Sequence, residues 1–213
     1  MKLHKLEVIS LILVILSFLV GWYFYPQLPQ QVASHWNSQG QVNGYMSKFW
    51  GAFLLPIILT GMFLIFLIVP RIDPKRENIE KFRTYFNSFI VLLFLFMSYI
   101  YALTLAWNMG YQFDFVRFIS PAFAVLFYDI SILIAHAEPN WTIGIRTPWT
   151  LSNAEVWKKT HALGAKLFRY SALIGLLGVI FPKIAIWLIL LPIIASTLWV
   201  FVYSYLEYRK IKR

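Results

Sequence analysis

Six apolar segments, each about long enough to cross a lipid bilayer, constrain the fold of this chain more than any other feature. A membrane helix needs about 20 mostly apolar residues to cross about 30 Å of hydrocarbon. The segments cover residues 8–25, 49–69, 86–107, 115–135, 167–181 and 184–206. The fifth is the weakest, because Arg169 stands near its start. The sequence therefore predicts an all-α membrane protein with six transmembrane helices in a single membrane domain, residues 1–213.

The composition excludes an ordinary soluble domain. The chain is 60% hydrophobic and only 13% charged, whereas soluble domains are about 45–50% apolar and about 25% charged. So few charges cannot cover the apolar surface of a soluble fold of this length. The chain has no cysteine, which excludes disulfides, thiolate metal sites and a cysteine nucleophile.

The first apolar segment shares one feature with secretory signal peptides, because Lys2 and Lys5 precede it. Its apolar run is longer than the 7–15 residues typical of a signal peptide, and no clean small-x-small cleavage site follows it directly. The sequence therefore predicts a retained transmembrane helix.

The distribution of the basic residues predicts the orientation, since Lys and Arg favour the cytoplasmic side. With the N-terminus inside, most of the 19 Lys and Arg residues fall in inner segments, Lys2, Lys212 and Arg213 among them. The outside segments keep only Lys48, Arg117 and Lys183. Both termini are therefore predicted to be cytoplasmic. Inner loops that face anionic lipid gain about 1 kcal/mol per basic residue, so the net charge of +10 requires no direct nucleic-acid partner.

The first connection, residues 26–48, is predicted to be a structured loop outside the membrane. Its alternating residues around Trp36, followed by the turn residues "NSQG", indicate a small hairpin or a structured extended loop. A solvated loop with ordinary turns is the alternative. The functional hypothesis is a rigid cap that presents His35, Trp36 and Asn37. A metal site is not predicted, because the loop holds no Cys, Asp or Glu beside His35.

The connection "NWTIGIRTPWTLS", residues 140–152, is predicted to be an elbow on the inner side. Gly144 allows a turn, and Arg146 is free to pair with a carboxylate or a phosphate. Pro148 favours an extended backbone at the preceding residue. The capping-box pattern "SNAE", residues 152–155, predicts the start of an amphipathic helix at the inner interface, which runs into the fifth span. A well-capped interfacial elbow without further function is the alternative.

Both connections resemble the SdpI family of bacterial membrane proteins. "NWTIGIRTPWTLSNAEVWKKTH" is similar to the family signature, and "LPQQVASHWNSQGQVNGYMSK" is similar to an N-terminal block of unknown function that many members carry. The resemblance assigns residues 1–70 to that block and residues 115–206 to the signature region. The candidate binding residues in the two connections, and on the helix that follows the second, are His35, Trp36, Asn37, Gly40, Lys48, Asn140, Gly144, Arg146, Thr147, Pro148, Trp149, Thr150, Trp157 and His161.

The resemblance implies a function in immunity. The best-known members protect a cell that secretes a membrane-active killing peptide, and they are thought to bind that peptide in the cytoplasmic membrane. With toxin bound, such a protein also holds a cytosolic repressor at the membrane. The implied partners are therefore the lipid bilayer, a peptide toxin and a repressor protein, with no cofactor.

Asp129 is a further candidate, because a charge inside an apolar span is costly and often marks function. We consider three interpretations: a structural ion pair with Arg146, a substrate or proton site, and a span whose limits differ slightly from those given. His136 lies seven residues further on, on a similar helical face. It and His161 either flank one inner pocket or are ordinary interfacial histidines.

Two rival functions follow from other features. The chain divides into two sets of three spans, each with a long loop after its first helix, as in transporters with inverted repeats. A small transporter with a site near Asp129, between the halves, is therefore the alternative to immunity. An enzyme is not predicted, because the sequence lacks HExxH, GxSxG and the paired glutamates of membrane proteases.

Overall fold

The computed structural model describes residues 3–211, so Lys2, Lys212 and Arg213, predicted to lie on the inner side, fall outside the described residues. Six helices in this part of the chain are long and apolar enough to cross a membrane, which confirms the predicted fold class. They are α1 (Lys5–Phe24), α2 (Lys48–Ile72), α4 (Arg83–Asn108), α5 (Phe115–His136), α7 (Ala154–Leu176) and α8 (Ala185–Ile211). The short helices α3 (Arg76–Lys81) and α6 (Pro148–Ser152) lie in two of the connections.

The fifth span begins earlier than the sequence predicted. Residues 167–181 were expected to span the membrane, whereas α7 starts at Ala154 and continues without a break to Leu176. The amphipathic helix was predicted to run into the fifth span, and this continuity is confirmed. Buried residues on one face, among them Trp157 and His161, hold its first turns against the rest of the protein.

The long helices pack as two groups of three, joined where α4 packs against α5. Helices α1, α2 and α4 form one group, and α5, α7 and α8 form the other. The largest cluster of buried apolar residues includes Leu59, Phe86 and Phe94 of the first group, and it reaches Leu133 and Trp157 of the second. Many large apolar side chains on the outer faces are exposed, as expected for surfaces in contact with lipid.

Because successive spans run antiparallel, the two long connections lie at opposite ends of the bundle. The first connection forms an antiparallel hairpin of β1 (Gln31–Trp36) and β2 (Val42–Ser47). The second is the elbow, defined here as residues 137–153, which joins α5 to α7 and includes α6. We call these the hairpin end and the elbow end.

Candidate functional site

Asn140 folds the first part of the elbow around its own side chain. It is only 1% exposed. Its Oδ1 accepts hydrogen bonds from the backbone N–H groups of Thr142 at 2.9 Å and Ile143 at 2.6 Å. Its Nδ2 donates to the carbonyl oxygens of Glu138 and Ile143, both at 2.8 Å. This candidate residue therefore uses its amide within the loop and does not present it to a ligand.

Asp73, which the sequence did not mark, ties the elbow to the first helix group. Its Oδ2 accepts from the backbone N–H of Trp141 at 3.0 Å and from Thr142 Oγ1 at 2.7 Å. Nearby, Asn78 Nδ2 donates to the carbonyl oxygen of Pro139 at 2.7 Å. The sequence offered one indication that this aspartate shapes the loop: it directly precedes a proline after the second span, and such a pair is common in turns.

Gly144, Trp157 and His161 form the core of the elbow. Gly144 has φ of +114°, and a Cβ there would lie 2.6 Å from His161 Nε2. His161 Nε2 accepts from the backbone N–H of Ile145 at 3.0 Å, and the Trp157 Nε1–H donates to the carbonyl oxygen of Ala137 at 2.7 Å. The two rings stack with centroids 4.0 Å apart. Both side chains are buried, so they position the backbone of the elbow.

The threonines of the signature cap α6. Thr147 is the N-cap: its Oγ1 accepts from the backbone N–H of Thr150 at 3.2 Å and donates to Ser204 Oγ of α8 at 3.0 Å. Thr150 Oγ1 donates to the carbonyl oxygen of Ile145 at 2.8 Å. Pro148 occupies the first helical position, where its missing N–H has no cost. The expectation that Pro148 follows an extended residue agrees with the backbone of Thr147.

The predicted cap of the next helix was wrong by one residue. The sequence placed the cap at Ser152, but that residue ends α6. Asn153 is the N-cap of α7, and its Oδ1 accepts from the backbone N–H groups of Glu155 at 2.8 Å and Val156 at 3.1 Å. Ser and Asn cap helices about equally well. The end of α6, which the sequence did not predict, shifts the cap by one position.

Trp149 and Arg146 lie at the rim of the elbow. Trp149 packs against the rings of Phe201 and Tyr205 of α8, with centroids 5.2 and 5.1 Å away. Arg146 is exposed, and its Nη1 donates to the carbonyl oxygen of Trp141 at 3.1 Å. Within residues 3–211 its guanidinium forms no ion pair.

Asp129 does not form the predicted ion pair with Arg146. No salt bridge of Asp129 occurs among the described residues, and its buried Oδ2 has no hydrogen-bond partner there. Of the three interpretations of Asp129, the ion pair with Arg146 is therefore not formed, because Arg146 turns toward the backbone of the elbow. For His136 and His161, the sequence left two alternatives open, and in the structure both residues line one cavity between α4, α5 and α7.

At the other end of the bundle, Asn37 and Gly40 shape the turn of the hairpin. Asn37 Oδ1 accepts from the backbone N–H groups of Gln39 at 3.0 Å and Gln41 at 2.9 Å. Gly40 has φ of +75°, which favours glycine. His35 is exposed, and its Nδ1 lies 2.5 Å from Asn43 Oδ1. Of these residues, His35 is the most accessible to a ligand.

Packing against the helices fixes the base of the hairpin. The side chain of Val32 is fully buried and lies over Gly51 of α2, where a Cβ would meet it at 2.6 Å. Asn108 of α4 accepts from the backbone N–H of Ala33 at 2.7 Å and donates to its carbonyl oxygen at 3.0 Å. Lys48 Nζ donates to the carbonyl oxygen of Pro26 at 3.2 Å. The sequence marked Lys48 but gave no signal for Asn108.

Trp36 borders an apolar cavity of about 420 Å³ between the hairpin and the ends of α4, α5 and α8. Its ring stacks on Phe115, with centroids 4.0 Å apart and planes 8° from parallel. Its buried Nε1 has no hydrogen-bond partner within residues 3–211. A buried N–H without an acceptor costs about 1–3 kcal/mol, so an acceptor from a ligand would be favourable here.

A buried ionic cluster, also missed by the sequence analysis, joins α1, α2 and α4 at the elbow end. The carboxylate of Glu7 lies 2.6 Å from Arg83 Nη2 and 3.1 Å from Arg71 Nη2. Arg83 also donates to Asn87 Oδ1 at 3.1 Å and pairs with Glu80 at 3.2 Å. Glu7 and Arg83 are buried. The partners are 64 and 76 residues from Glu7 in sequence, so no local pattern connects them.

Six apolar helices, with a β-hairpin at one end and a rigid elbow at the other, define a multi-pass membrane protein. Residues 136–204 match the model of the SdpI/YfhL protein family, and residues 12–60 match that of DUF1648, a domain of unknown function. Over 212 residues the chain is 29% identical to "Immunity protein SdpI" of Bacillus subtilis (strain 168), covering 97% of this chain and 98% of that protein.

The chain is therefore similar to the SdpI family in residues 136–204 and to Immunity protein SdpI along almost its whole length, and it is a multi-pass protein of the cell membrane. This confirms the resemblance found in the two connections. No solved structure matches the chain significantly.

Proposed function

We propose that this protein is an immunity protein, which protects its cell by binding a membrane-active peptide toxin in the membrane without catalysing a reaction. One observation carries the proposal: the similarity to Immunity protein SdpI extends over 97% of the chain. It therefore includes the hairpin, the elbow and all six spans. A similarity confined to one family block would support only a shared module.

The cavity beside Trp36 is the proposed contact site for the toxin. It is lined mainly by apolar side chains, such as Ile100, Phe115 and Ile119, and it suits the apolar face of a peptide that partitions into the bilayer. The Nε1–H of Trp36, which has no acceptor among the described residues, supplies a donor for a backbone carbonyl of that peptide. In this proposal the hairpin end faces the exterior, where the toxin arrives.

The test of immunity uses cells that lack the gene, mixed with their parent strain. Cells of the native host without the gene are expected to lose viability in the mixture, and the plasmid-borne gene is expected to restore survival. A second arm expresses the chain in Bacillus subtilis cells that lack their own SdpI. Normal survival of the deletion strain, together with no protection in the second arm, contradicts the proposal.

Trp36→Phe tests the binding site within the same assay. Phenylalanine keeps an aromatic ring for stacking on Phe115 but removes the Nε1 donor, so we expect normal abundance and about tenfold weaker protection, since one hydrogen bond contributes about 1.4 kcal/mol. Trp22→Phe is the matched control, because Trp22 is 76% exposed near the same end of the bundle. Equal protection by both variants contradicts the site.

The elbow is the proposed contact surface for a cytosolic repressor. Arg146 presents an exposed guanidinium without an ion pair in the described part of the chain, and Trp141 beside it is 50% exposed. If toxin binding recruits a repressor here, toxin raises transcription of the operon that carries this gene. Arg146→Ala is then expected to abolish the rise without reducing survival. Unchanged induction in this variant contradicts the assignment.

The transporter alternative is favoured by one observation: Oδ2 of Asp129, inside α5, has no hydrogen-bond partner in the described part of the chain. A carboxyl that carries protons or substrate through the bilayer is required for transport. Asp129→Asn is therefore expected to leave protection unchanged if the protein acts by binding toxin, and to abolish protection if it acts by transport. Survival of cells that express this variant at normal abundance distinguishes the two functions.

A further inference from the structure

We propose that the elbow end carries a binding site for the phosphate headgroup of an anionic phospholipid, in the cavity between α4, α5 and α7. This site is separate from the proposed toxin site at the hairpin end, and it does not depend on an immunity function. The cavity has a volume of about 830 Å³. We call it the basic groove.

Unpaired positive charge surrounds the basic groove. Lys81, Lys158, Lys166 and Arg169 line it, against the single acid Glu138. None of these four cations forms an ion pair within residues 3–211, although several other charges at this end do. Basic pockets between transmembrane helices at the cytoplasmic side bind phospholipid headgroups.

The walls of the groove leave room for a ligand. Alanines at positions 135, 137, 154, 162 and 165 line it. Tyr85 and His136 stack at one side, with ring centroids 3.7 Å apart, and the buried Trp157 and His161 lie at another. The cations therefore surround a preformed space with rigid aromatic walls.

The depth of the groove favours a lipid over a soluble anion. Lys158 and Arg169 are 11 positions apart on α7, which at 1.5 Å per residue corresponds to about 16 Å along the helix axis. The guanidinium of Arg169 lies over the ring of Tyr128, 5.6 Å from its centroid. Next to it, the apolar side chains of Val125 and Leu173 are more than half exposed. A phospholipid can occupy both regions, with its phosphate at the cations and its acyl chains against these apolar side chains.

The test measures binding of phosphatidylglycerol to the purified full-length chain by native mass spectrometry. The groove variant combines Lys158→Gln, Lys166→Gln and Arg169→Gln. Each basic residue near an anionic headgroup contributes about fivefold in affinity, so we expect about 100-fold weaker binding. The control variant combines Lys5→Gln, Lys75→Gln and Arg76→Gln, which removes the same charge from exposed positions at the same end but outside the groove. It is expected to bind within about threefold of the wild type.

A second variant, a folding control and a displacement experiment give the test a clear outcome. Ala162→Phe retains every charge and places a bulky ring in the groove, so it is expected to weaken binding at least tenfold even if the triple variant does not fold. Thermal unfolding in phosphatidylcholine identifies any misfolded variant. If the control variant loses as much binding as the groove variant, the lipid is attracted by charge without a specific site. If millimolar inorganic phosphate displaces phosphatidylglycerol completely, the groove is a site for soluble anions. Either result, or undiminished binding by Ala162→Phe, overturns the proposal.

Discussion

The two ends of the bundle are built by different physical means. At the hairpin end, a short ladder of backbone hydrogen bonds, apolar packing and the amide of Asn108 hold β1 and β2 in place. At the elbow end, side chains bond to the backbone throughout the loop. All ion pairs found within residues 3–211 lie there, in one cluster around Glu7 and another around Glu207.

Because of this difference, the surface at the hairpin end can adapt, whereas the surface at the elbow end is fixed. A segment held by few long-range contacts opens locally at low free energy, whereas a segment crossed by buried polar networks does not. The turn of the hairpin, beyond its fixed base, is therefore the region that can reshape around a ligand. The elbow, tied to α2, α7 and α8, is suited to present one constant surface. Substitutions at the elbow end should reduce global stability, and those at the hairpin end should act locally.

The largest effect is expected from Glu7→Gln. This change leaves Arg83 buried without its closest charged partner, and breaking a buried pair costs about 3–5 kcal/mol. We expect a strong loss of folded protein, measured by thermal unfolding in detergent. Glu155→Gln is the control, because the pair of Glu155 with Lys159 is exposed and such pairs contribute about 0–1 kcal/mol. Equal stability of the two variants would contradict a special role of the buried cluster.

A smaller but still global effect is expected from Gly144→Ala. The new Cβ would meet His161 Nε2 at 2.6 Å and the residue would keep φ of +114°, so strain and a lost hydrogen bond together cost about 2–4 kcal/mol. Gly61→Ala in α2 is the control, since its Cβ would meet nothing within 4 Å and alanine favours the helix by about 1 kcal/mol. The melting temperatures should move in opposite directions, and a shared direction would disprove the tight packing of the elbow.

The smallest effect on global stability is expected from Asn108→Ala at the hairpin end. Loss of the two hydrogen bonds to Ala33 costs about 1–2 kcal/mol, and the loss should appear as faster amide hydrogen exchange in residues 31–47. Asn43→Ala is the control, because Asn43 contacts His35 at an exposed position of the same hairpin. Exchange that accelerates throughout the bundle, or in neither variant, would show that the hairpin is not a separate local unit.

Local sequence patterns were sufficient to predict the spans and the turn at Gly144. The apolar runs predicted the bounds of five of the six spans closely, because hydropathy depends on the residues of one segment alone. The apolar run of the fifth span was placed late, at residue 167, because Lys158 and Lys159 dilute the apolar signal. The capping-box pattern nevertheless predicted the start of α7 to within one residue.

The polar networks, in contrast, could not be predicted from local patterns. Glu7, Asp73 and Asn108 all find their partners more than 60 residues away in the sequence. One sequence gives no indication of which distant side chains meet. The choice among the three interpretations of Asp129 stayed open for the same reason, since Arg146 had an alternative partner in the carbonyl oxygen of Trp141 that a list of charged residues does not reveal.

Cysteine accessibility tests the central claim most directly, namely that the adaptable hairpin faces the exterior and the fixed elbow faces the cytosol. The chain contains no cysteine, so Gln39→Cys in the hairpin turn and Ser152→Cys in the elbow, both at exposed positions, each provide a single thiol. With a membrane-impermeant maleimide on intact cells, the account predicts labelling of Gln39→Cys, and labelling of Ser152→Cys only after the membrane is permeabilised. Labelling of Ser152→Cys in intact cells, with Gln39→Cys unlabelled, would contradict it.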